Sequence, residues 1–410
     1  MSDSGAEAVV VEAVRTPQAN KDGALAELYP EDLVTTVLDA LVERSGVPAT
    51  DWDDVRLGCA NQEAEQGRNL ARQSLLAGGF PEAVPASTTT RLCGSSLTAL
   101  NDAARAVETG DGEIYPVAGV EHMTRVPFSD WLHPAIEACD GEVYPVAGVE
   151  HMTRVPFSDW LHPSIEERYD ADRLPMGQTA ERIARDHDVG REAQDRFALR
   201  SHERASEAAD HGRFDDELVP VETAAGTVAA DETPRPGTSL DALADLPTVF
   251  RDDDRATVTP GNASPLTDGA AGLLVTSRTY AEEHGLDPLA RVRSRAVVGV
   301  DPLVMGRGPI PATRQVLDSA GLEVNDLDLV ELNEAFAAQS LHCQRELGIP
   351  DDVLNVNGGA IALGHPLGCS GARIATTLLH ELARRDGDLG LATMCVGFGQ
   401  GVATLFERVA

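Results

Sequence analysis

Lysine is nearly absent from this chain: Lys21 is the only one among 33 basic side chains, set against 67 acidic ones, for a formal net charge of −34. A surface so rich in carboxylates repels phosphate backbones and anionic lipid, which excludes nucleic acid and anionic membranes as default partners. Long apolar runs are missing as well. No stretch approaches the ~20 residues that a membrane-spanning helix needs. The opening Met1-Ser2-Asp3-Ser4-Gly5-Ala6-Glu7 is acidic where a secretory leader is basic and then apolar. The expectation is a cytoplasmic protein. Six cysteines in 410 residues are too few for a disulfide scaffold, and neither a Cys-X-X-Cys pair nor a His pair at metal-ligand spacing points to zinc. Reduced thiols, some with a chemical task, are the better reading.

What is present fits a soluble globular protein with 42% hydrophobic residues and length for two core-bearing units. Replacing lysine by arginine and crowding carboxylates on the surface reads as adaptation to a cytosol of molar salt, where screening acts over ~3 Å. The alternative is an ordinary acidic protein from a high-GC genome. Residues 8–12 read as a buried strand and 33–45 as an amphipathic helix. The same grammar recurs: Val37-Leu38-Asp39 leads through Gly46 to a strand at 55–59, and Val316-Leu317-Asp318 leads through Gly321 to a strand at 327–332. Likewise residues 88–91, Cys93 and a helix at 97–107 match 353–356, a glycine turn and a helix at 372–384. An internally duplicated α/β protein follows. Between the halves, helical patterns at 179–186 and 191–212 precede a Pro/Gly/Thr-rich segment at 224–247. That stretch is either a solvated linker or a small subdomain, and its periodic helices favour the subdomain.

Residues 111–139 recur as 140–168, with 25 of 29 positions identical. Two copies are too few for a solenoid, so this is a recent in-frame duplication or an error in the gene model, and four diverged positions favour the duplication. If the strand in this unit has one slot in a sheet, only one copy fills it. The expectation is that 143–149 fills the slot and that 111–139 is an excursion at the turn around Gly110 and Gly112.

Three glycine-rich turns carry reactive residues: Arg91-Leu92-Cys93-Gly94-Ser95-Ser96, Gly364-His365-Pro366 and Cys395-Val396-Gly397-Phe398-Gly399-Gln400-Gly401. Cys93 follows a strand and precedes a helix, so partial positive charge at the helix N-terminus favours its thiolate. The turn at His365 fixes the backbone and leaves the imidazole facing a cavity. Cys59, Cys139 and Cys343 have no comparable setting, Cys369 reads as a packing residue, and the other ten histidines read as structural.

Together with Asn333-Glu334-Ala335-Phe336, these motifs resemble those of the thiolase family, in the family's order, from about Val9 to the C-terminus. The resemblance implies a five-layer αβαβα fold of two duplicated halves plus a loop domain. The N-terminal half would span 5–279, with the coenzyme A-binding loop domain at about 150–264 and the repeat at 111–139 and 140–168; the C-terminal half would span 287–410. It implies reversible thiolytic cleavage of 3-oxoacyl-CoA to acetyl-CoA and a shortened acyl-CoA, with coenzyme A as substrate and no permanently bound cofactor. Cys93 would be the nucleophile, His365 its base, and Cys395 the acid or base at the α-carbon. Asn333, through a held water, and His365 would stabilise the enolate, and the N–H groups of Cys93 and Gly397 the tetrahedral intermediate. Arg235 would lie near the adenine nucleotide, with Ser264, Met176 and Phe336 also around coenzyme A and Ser264 on the pantetheine.

Two positions depart from the family. Biosynthetic acetoacetyl-CoA thiolases typically carry a histidine where Pro175 stands, which points to longer 3-oxoacyl chains, and Phe398 replaces a small residue. The implied partners are acyl-CoA and coenzyme A, in a homodimer or homotetramer or with a partner subunit. Two alternatives stay open: a β-ketoacyl carrier-protein synthase-like condensing enzyme, which would lack Cys395 and the Asn333 motif, and a non-catalytic subunit of a complex.

Overall fold

The computed structural model describes residues 6–126, 165, 168–169 and 173–409. Its first half runs β1 (Ala8–Arg15), β2 (Ala19–Asn20), α1 (Pro30–Ser45), β3 (Val55–Cys59), α2 (Leu70–Ala77), β4 (Ala86–Thr89), α3 (Ser95–Thr109) and β5 (Ile114–His122). Next come α4 (Met176–Asp186), α5 (Arg191–Asp210), the hairpin β6 (Val221–Thr223) and β7 (Gly226–Val228), α6 (Leu240–Ala244), β8 (Thr267–Ser277) and α7 (Arg278–His284). The second half runs β9 (Ala290–Gly299), α8 (Pro309–Ala320), β10 (Leu329–Leu332), α9 (Ala337–Leu347), α10 (Ala360–Leu363), α11 (Ser370–Arg385), β11 (Leu389–Val396) and β12 (Gln400–Arg408).

The inner strands are near-continuous apolar runs because both of their faces are covered. Strand order is β10-β11-β12-β9-β1-β8-β5-β3-β4, which is one pattern used twice: β1-β8-β5-β3-β4 in one half and β9-β12-β11-β10 in the other. The halves meet where Val9 and Val10 of β1 pair with Arg291 and Ala290 of β9. Helix α1 packs Leu33, Val37 and Leu41 on one side of the first sheet, against Val9, Leu57, Ala118 and Leu274. On the other side α3 and α11 share a core with Val10, Val117 and Leu273 of the first half and Met394, Val402 and Phe406 of the second. Helix α8 then covers the outer face of the second sheet through Ile310, Val316 and Leu317. The result is α1/sheet/α3 and α11/sheet/α8, the five layers expected.

Helices α3 and α11 lie side by side in the middle layer because glycines let them approach. A Cβ on Gly371 of α11 would lie 2.5 Å from Leu97 N of α3, and one on Gly58 of β3 would lie 2.1 Å from Ser96 N, so the same helix start is also seated closely on the sheet. Their starts are stitched together: Ser96 N–H donates to Gly368 O (3.3 Å), and Ser96 Oγ donates to Cys369 O (3.1 Å) and accepts from Ala372 N–H (2.8 Å). The turns bearing Cys93 and His365 are thereby brought to one end of the middle layer.

The expected strand at 353–356 does not form. Only Leu354 bridges to Val330, because the Asn355 side chain accepts from Leu332 N–H (2.8 Å) and donates to Leu332 O (2.9 Å), taking the place of backbone pairing. The segment at 224–247 is anchored rather than free: Asp231 pairs with the fully buried Arg15 (2.7 Å), which also holds Glu217 (2.5 Å).

The expectation for the repeat is overturned. Ile114–His122, in the first copy, occupies the slot, antiparallel to β8 from Ile114↔Thr276 to His122↔Asp268 and parallel to β3, with all nine residues buried. Residues 143–149 lie outside the described residues, as do Cys139, His133, His151 and His162. Loop lengths account for the choice. The link from α3 to β5 is a short turn through Gly110 at φ 76°; adding the surplus there costs about 2 kcal/mol of closure entropy, whereas adding it to the already long link after β5 costs under about 1 kcal/mol. Deleting 140–168 is therefore expected to leave a folded, fully active chain. Deleting 111–139 instead exchanges Ile114 for Val143 in the slot and should cost about 1 kcal/mol. Thermal melts and thiolysis assays of both deletions check this, and unfolding of the 140–168 deletion would contradict it.

Candidate active site

Cys93 sits on the tight turn between β4 and α3. Leu92 before it takes φ 46°, a left-handed conformation costly for a branched side chain. The turn is over-determined: Ser95 Oγ donates to Leu92 O (2.5 Å) and accepts from Arg91 N–H (2.9 Å), while Arg91 donates to Gln400 Oε1 (2.9 Å) of the other half. Cys93 is only 4% exposed. Burial pushes its thiol up to about 12, although the nearby N–H groups of Gly397 and of Cys93 itself pull the other way. The thiolate favoured by the helix N-terminus is thus not the resting form, because desolvation outweighs the dipole.

Cys395 closes β11, and Gly397 lies in the hairpin to β12, where Phe398 takes φ 59° and Gly399 φ 78°. The Cys395 thiol is buried and raised well above the ordinary thiol range by burial, then by its neighbours Cys93 and Cys343. A chain-distant pair of sulfurs, one from each half, therefore shares one site. Phe398 is 36% exposed and so stands at the rim of this site.

His365 is buried, not open to a cavity as its turn suggests. Gly364 before it takes φ 91°, and a Cβ there would lie 2.4 Å from Thr267 Cγ2, so this turn requires glycine. Ser370 Oγ donates to Pro366 O (3.0 Å) and lies 2.5 Å from His365 Nδ1, so it accepts the Nδ1–H. That tautomer leaves Nε2 as an acceptor, and the Asn333 amide N–H donates to it at 3.3 Å. Burial, then Arg373, holds the imidazole down to about 3, so it is neutral at physiological pH. Asn333 Oδ1 has no partner among the described residues. Asn333 N–H donates to Thr393 O (3.0 Å), which places the amide two residues from Cys395 on the adjoining strand.

Met176, at the start of α4, and Phe336 pack in one apolar cluster with Cys395, Ala180, Val258 and Met305. Ser264 joins them, its N–H and Oγ both 3.1 Å from Ala335 O. Arg235 is not part of this group. It lines a separate groove along α5 with His202, Glu203, Ser206 and Thr238.

Sequence reasoning missed three buried residues that hold these turns. Glu121, at the end of β5, accepts from Ala60 N–H (2.8 Å), Asn61 N–H (3.1 Å), Gly368 N–H (2.8 Å) and Gln66 Nε2 (2.7 Å), clamping the His365 turn to the first half. A carboxylate ending an otherwise apolar strand was its only signal. Glu334 accepts from Ser201 (2.6 Å), Asn355 (2.8 Å) and Ile361 N–H (3.2 Å), fixing the segment that carries Asn333. Ser370, which orients His365, lies five residues downstream in a turn whose geometry sequence does not reveal. His122 bonds Leu25 O (3.2 Å) and faces Asp268, a structural histidine as read. Among the described residues no His/Cys/Asp/Glu cluster suits a metal ion, and no helix is long and apolar enough to cross a membrane.

Residues 8–279 match the family model "Thiolase, N-terminal domain" and residues 286–408 "Thiolase, C-terminal domain". The 3-ketoacyl-CoA thiolases of Cronobacter sakazakii and Citrobacter koseri are each 46% identical over 413 residues, covering 98% of this chain and 99% and 98% of theirs. Among solved structures, Bacillus anthracis acetyl-CoA acetyltransferase superposes with a TM-score of 0.86 at 38% identity over 100% of both chains. Human mitochondrial 3-ketoacyl-CoA thiolase in complex with CoA does so at 0.86 and 36%, over 99% of this chain and 98% of that one. On sequence, fold and the paired sites of its two halves, the chain belongs to the thiolase family.

Proposed function

We propose that this thiolase cleaves 3-oxoacyl-CoA with coenzyme A, or condenses two thioesters in reverse, through an acyl-enzyme on Cys93. The observation that carries the reading is the packing of the Cys93 turn on the Cys395 turn: a Cβ on Gly94 would lie 2.8 Å from Val396 Cγ2, and one on Gly397 2.9 Å from Leu92 Cδ1. A thiol held near 12 attacks only if a base takes its proton as the bond forms. Neutral His365, whose Nε2 is the acceptor and exchanges its bond to the Asn333 amide for the incoming proton, is the group for that task. As the Cys93 sulfur adds to the ketone carbon, the new alkoxide accepts from the N–H groups of Cys93 and Gly397. Its collapse breaks the bond between the carbonyl carbon and the α-carbon. The electron pair leaves as the enolate of acetyl-CoA, facing the Asn333 amide and protonated His365, and Cys395 gives its proton to the α-carbon. Coenzyme A thiol, deprotonated in turn, then takes the acyl group from Cys93 and restores the free thiol.

Met176, Phe336 and Ser264 are assigned to the pantetheine arm because they cluster about Cys395, and Arg235 to the nucleotide end because it lies apart along α5. The loop domain is assigned to about 150–264, between halves at 5–279 and 287–410. Pro175, in place of histidine, supports substrates longer than acetoacetyl-CoA. A cytosolic homodimer or homotetramer suits a chain without a spanning helix among the described residues. A condensing enzyme working on a carrier protein is disfavoured by the presence of Cys395 and Asn333 together.

Steady-state thiolysis with 3-oxoacyl-CoA substrates of graded length tests the reading. kcat/KM is expected to rise from the four-carbon substrate to longer ones; activity confined to acetoacetyl-CoA would contradict the length assignment, and no thiolysis of any would contradict the function.

A further inference from the structure

Behind the site, β10 and α11 are joined twice. The first link is Asn333–His365–Ser370, from the end of β10 to the start of α11. The second lies one step further along both elements. Glu331 precedes Asn333 by two residues and so shares its side of the strand, while Arg373 follows Ser370 by three and so shares its side of the helix. Arg373 Nη1 and Glu331 Oε2 stand 3.6 Å apart, with side chains 0% and 5% exposed. Nε, Nη1 and Nη2 of Arg373 and Oε2 of Glu331 lack any hydrogen-bond partner among the described residues.

A buried guanidinium with no bonded acceptor is a poor device for stability alone, since apolar residues of similar size would pack as well without the desolvation cost. Its charge does reach the site, disfavouring imidazolium at His365. We propose that the Glu331–Arg373 pair is a positioning element that sets how readily His365 accepts the Cys93 proton: ionised Glu331 offsets Arg373 and lets an imidazolium form beside it. This inference rests on the proposed role of His365.

The charged groups facing the pair are few. Glu331 is faced by Arg373 on α11 and, further off, by Glu334, Glu217 and Glu381. His365 is faced by Arg373, and Cys369, in the intervening turn, by Arg373, Arg15 and Glu121. Burial, only partly opposed by Arg373, raises the Glu331 carboxyl to about 8. The sign follows: as pH rises through that region Glu331 ionises, Arg373 is offset, His365 becomes more basic and Cys93 is activated faster.

The test is alkylation of Cys93 by iodoacetamide in the full chain, followed against pH by peptide mass spectrometry. Wild type should show a rise in rate near pH 8, well below the titration of the thiol itself. Glu331→Gln should abolish that rise and slow alkylation by roughly tenfold above it, one pKa unit at His365 being a tenfold change in proton affinity. The neutral pair Glu331→Gln/Arg373→Gln should recover most of the rate yet still lack the rise. Because Glu331→Gln leaves a buried charge unopposed and can fail to fold, the double variant stands as the second test. A rise near pH 8 persisting in either variant, or a double variant as slow as the single, would overturn the proposal. His365→Ala separates the two claims: wild-type alkylation there refutes the base assignment itself, while slow alkylation there with an unaltered Glu331→Gln profile refutes only the pair.

Discussion

Cys93→Ser should lose thiolysis by roughly four orders of magnitude or more and form no acyl-enzyme, since a serine hydroxyl is a far poorer nucleophile and residues acting as one unit fail together. Cys395→Ser should lose carbon–carbon cleavage to a similar degree yet still take an acetyl group from acetyl-CoA, because its sulfur is assigned to the α-carbon and not to the thioester. The two thiols occupy one site and are both raised by burial, so only this split in behaviour tells nucleophile from acid. Steady-state rates with a 3-oxoacyl-CoA, set beside exchange of labelled coenzyme A into acetyl-CoA, read the two steps separately. Exchange surviving in Cys93→Ser would exchange the roles.

Dialysis from ~1 M to ~0.1 M KCl should unfold or inactivate the chain, because the screening length grows from ~3 Å to ~10 Å and a net charge of −34 then repels itself across the whole surface. Arginine supplies the countercharge in every described ion pair of this surface, as in Arg291 and Arg293 with Glu407 (2.9 and 2.7 Å). Such exposed pairs are individually weak, so they do not offset the repulsion. Near-UV circular dichroism and thiolysis against salt measure the effect; a melting temperature independent of salt over that range would refute the halophilic reading.

The turns that present Cys93, His365 and Cys395 were legible because each carries glycine where space is short or φ is positive, as at Gly94, Gly364 and Gly399, although Leu92 and Phe398 also take positive φ without any signal in the sequence. The duplicated halves were legible from repeated strand-turn-helix spacing, and α1, α3 and α11 extend at most three residues beyond their apolar patterns at either end. What was not legible lies in contacts between distant segments. Glu121 and Gly368 are 247 residues apart in sequence, and nothing around either residue announces the other. Asn355 looked like one more residue of a strand, but its side chain pairs with Leu332 in the backbone's place. The resting state of Cys93 was also out of reach, since the helix N-terminus is visible in sequence whereas the burial that outweighs it is a property of the packed core. The choice between two near-identical repeat copies turned on the lengths of the connections either side of β5, not on the residues themselves.

The central claim, an acyl-enzyme on Cys93, is tested most directly by mixing the intact chain with acetyl-CoA and mapping the modified peptide by mass spectrometry. The account predicts one acetyl group per chain, on Cys93, formed in wild type and in Cys395→Ser, absent in Cys93→Ser, and discharged by free coenzyme A. An acetyl group found instead on Cys395, or persisting in Cys93→Ser, would contradict it.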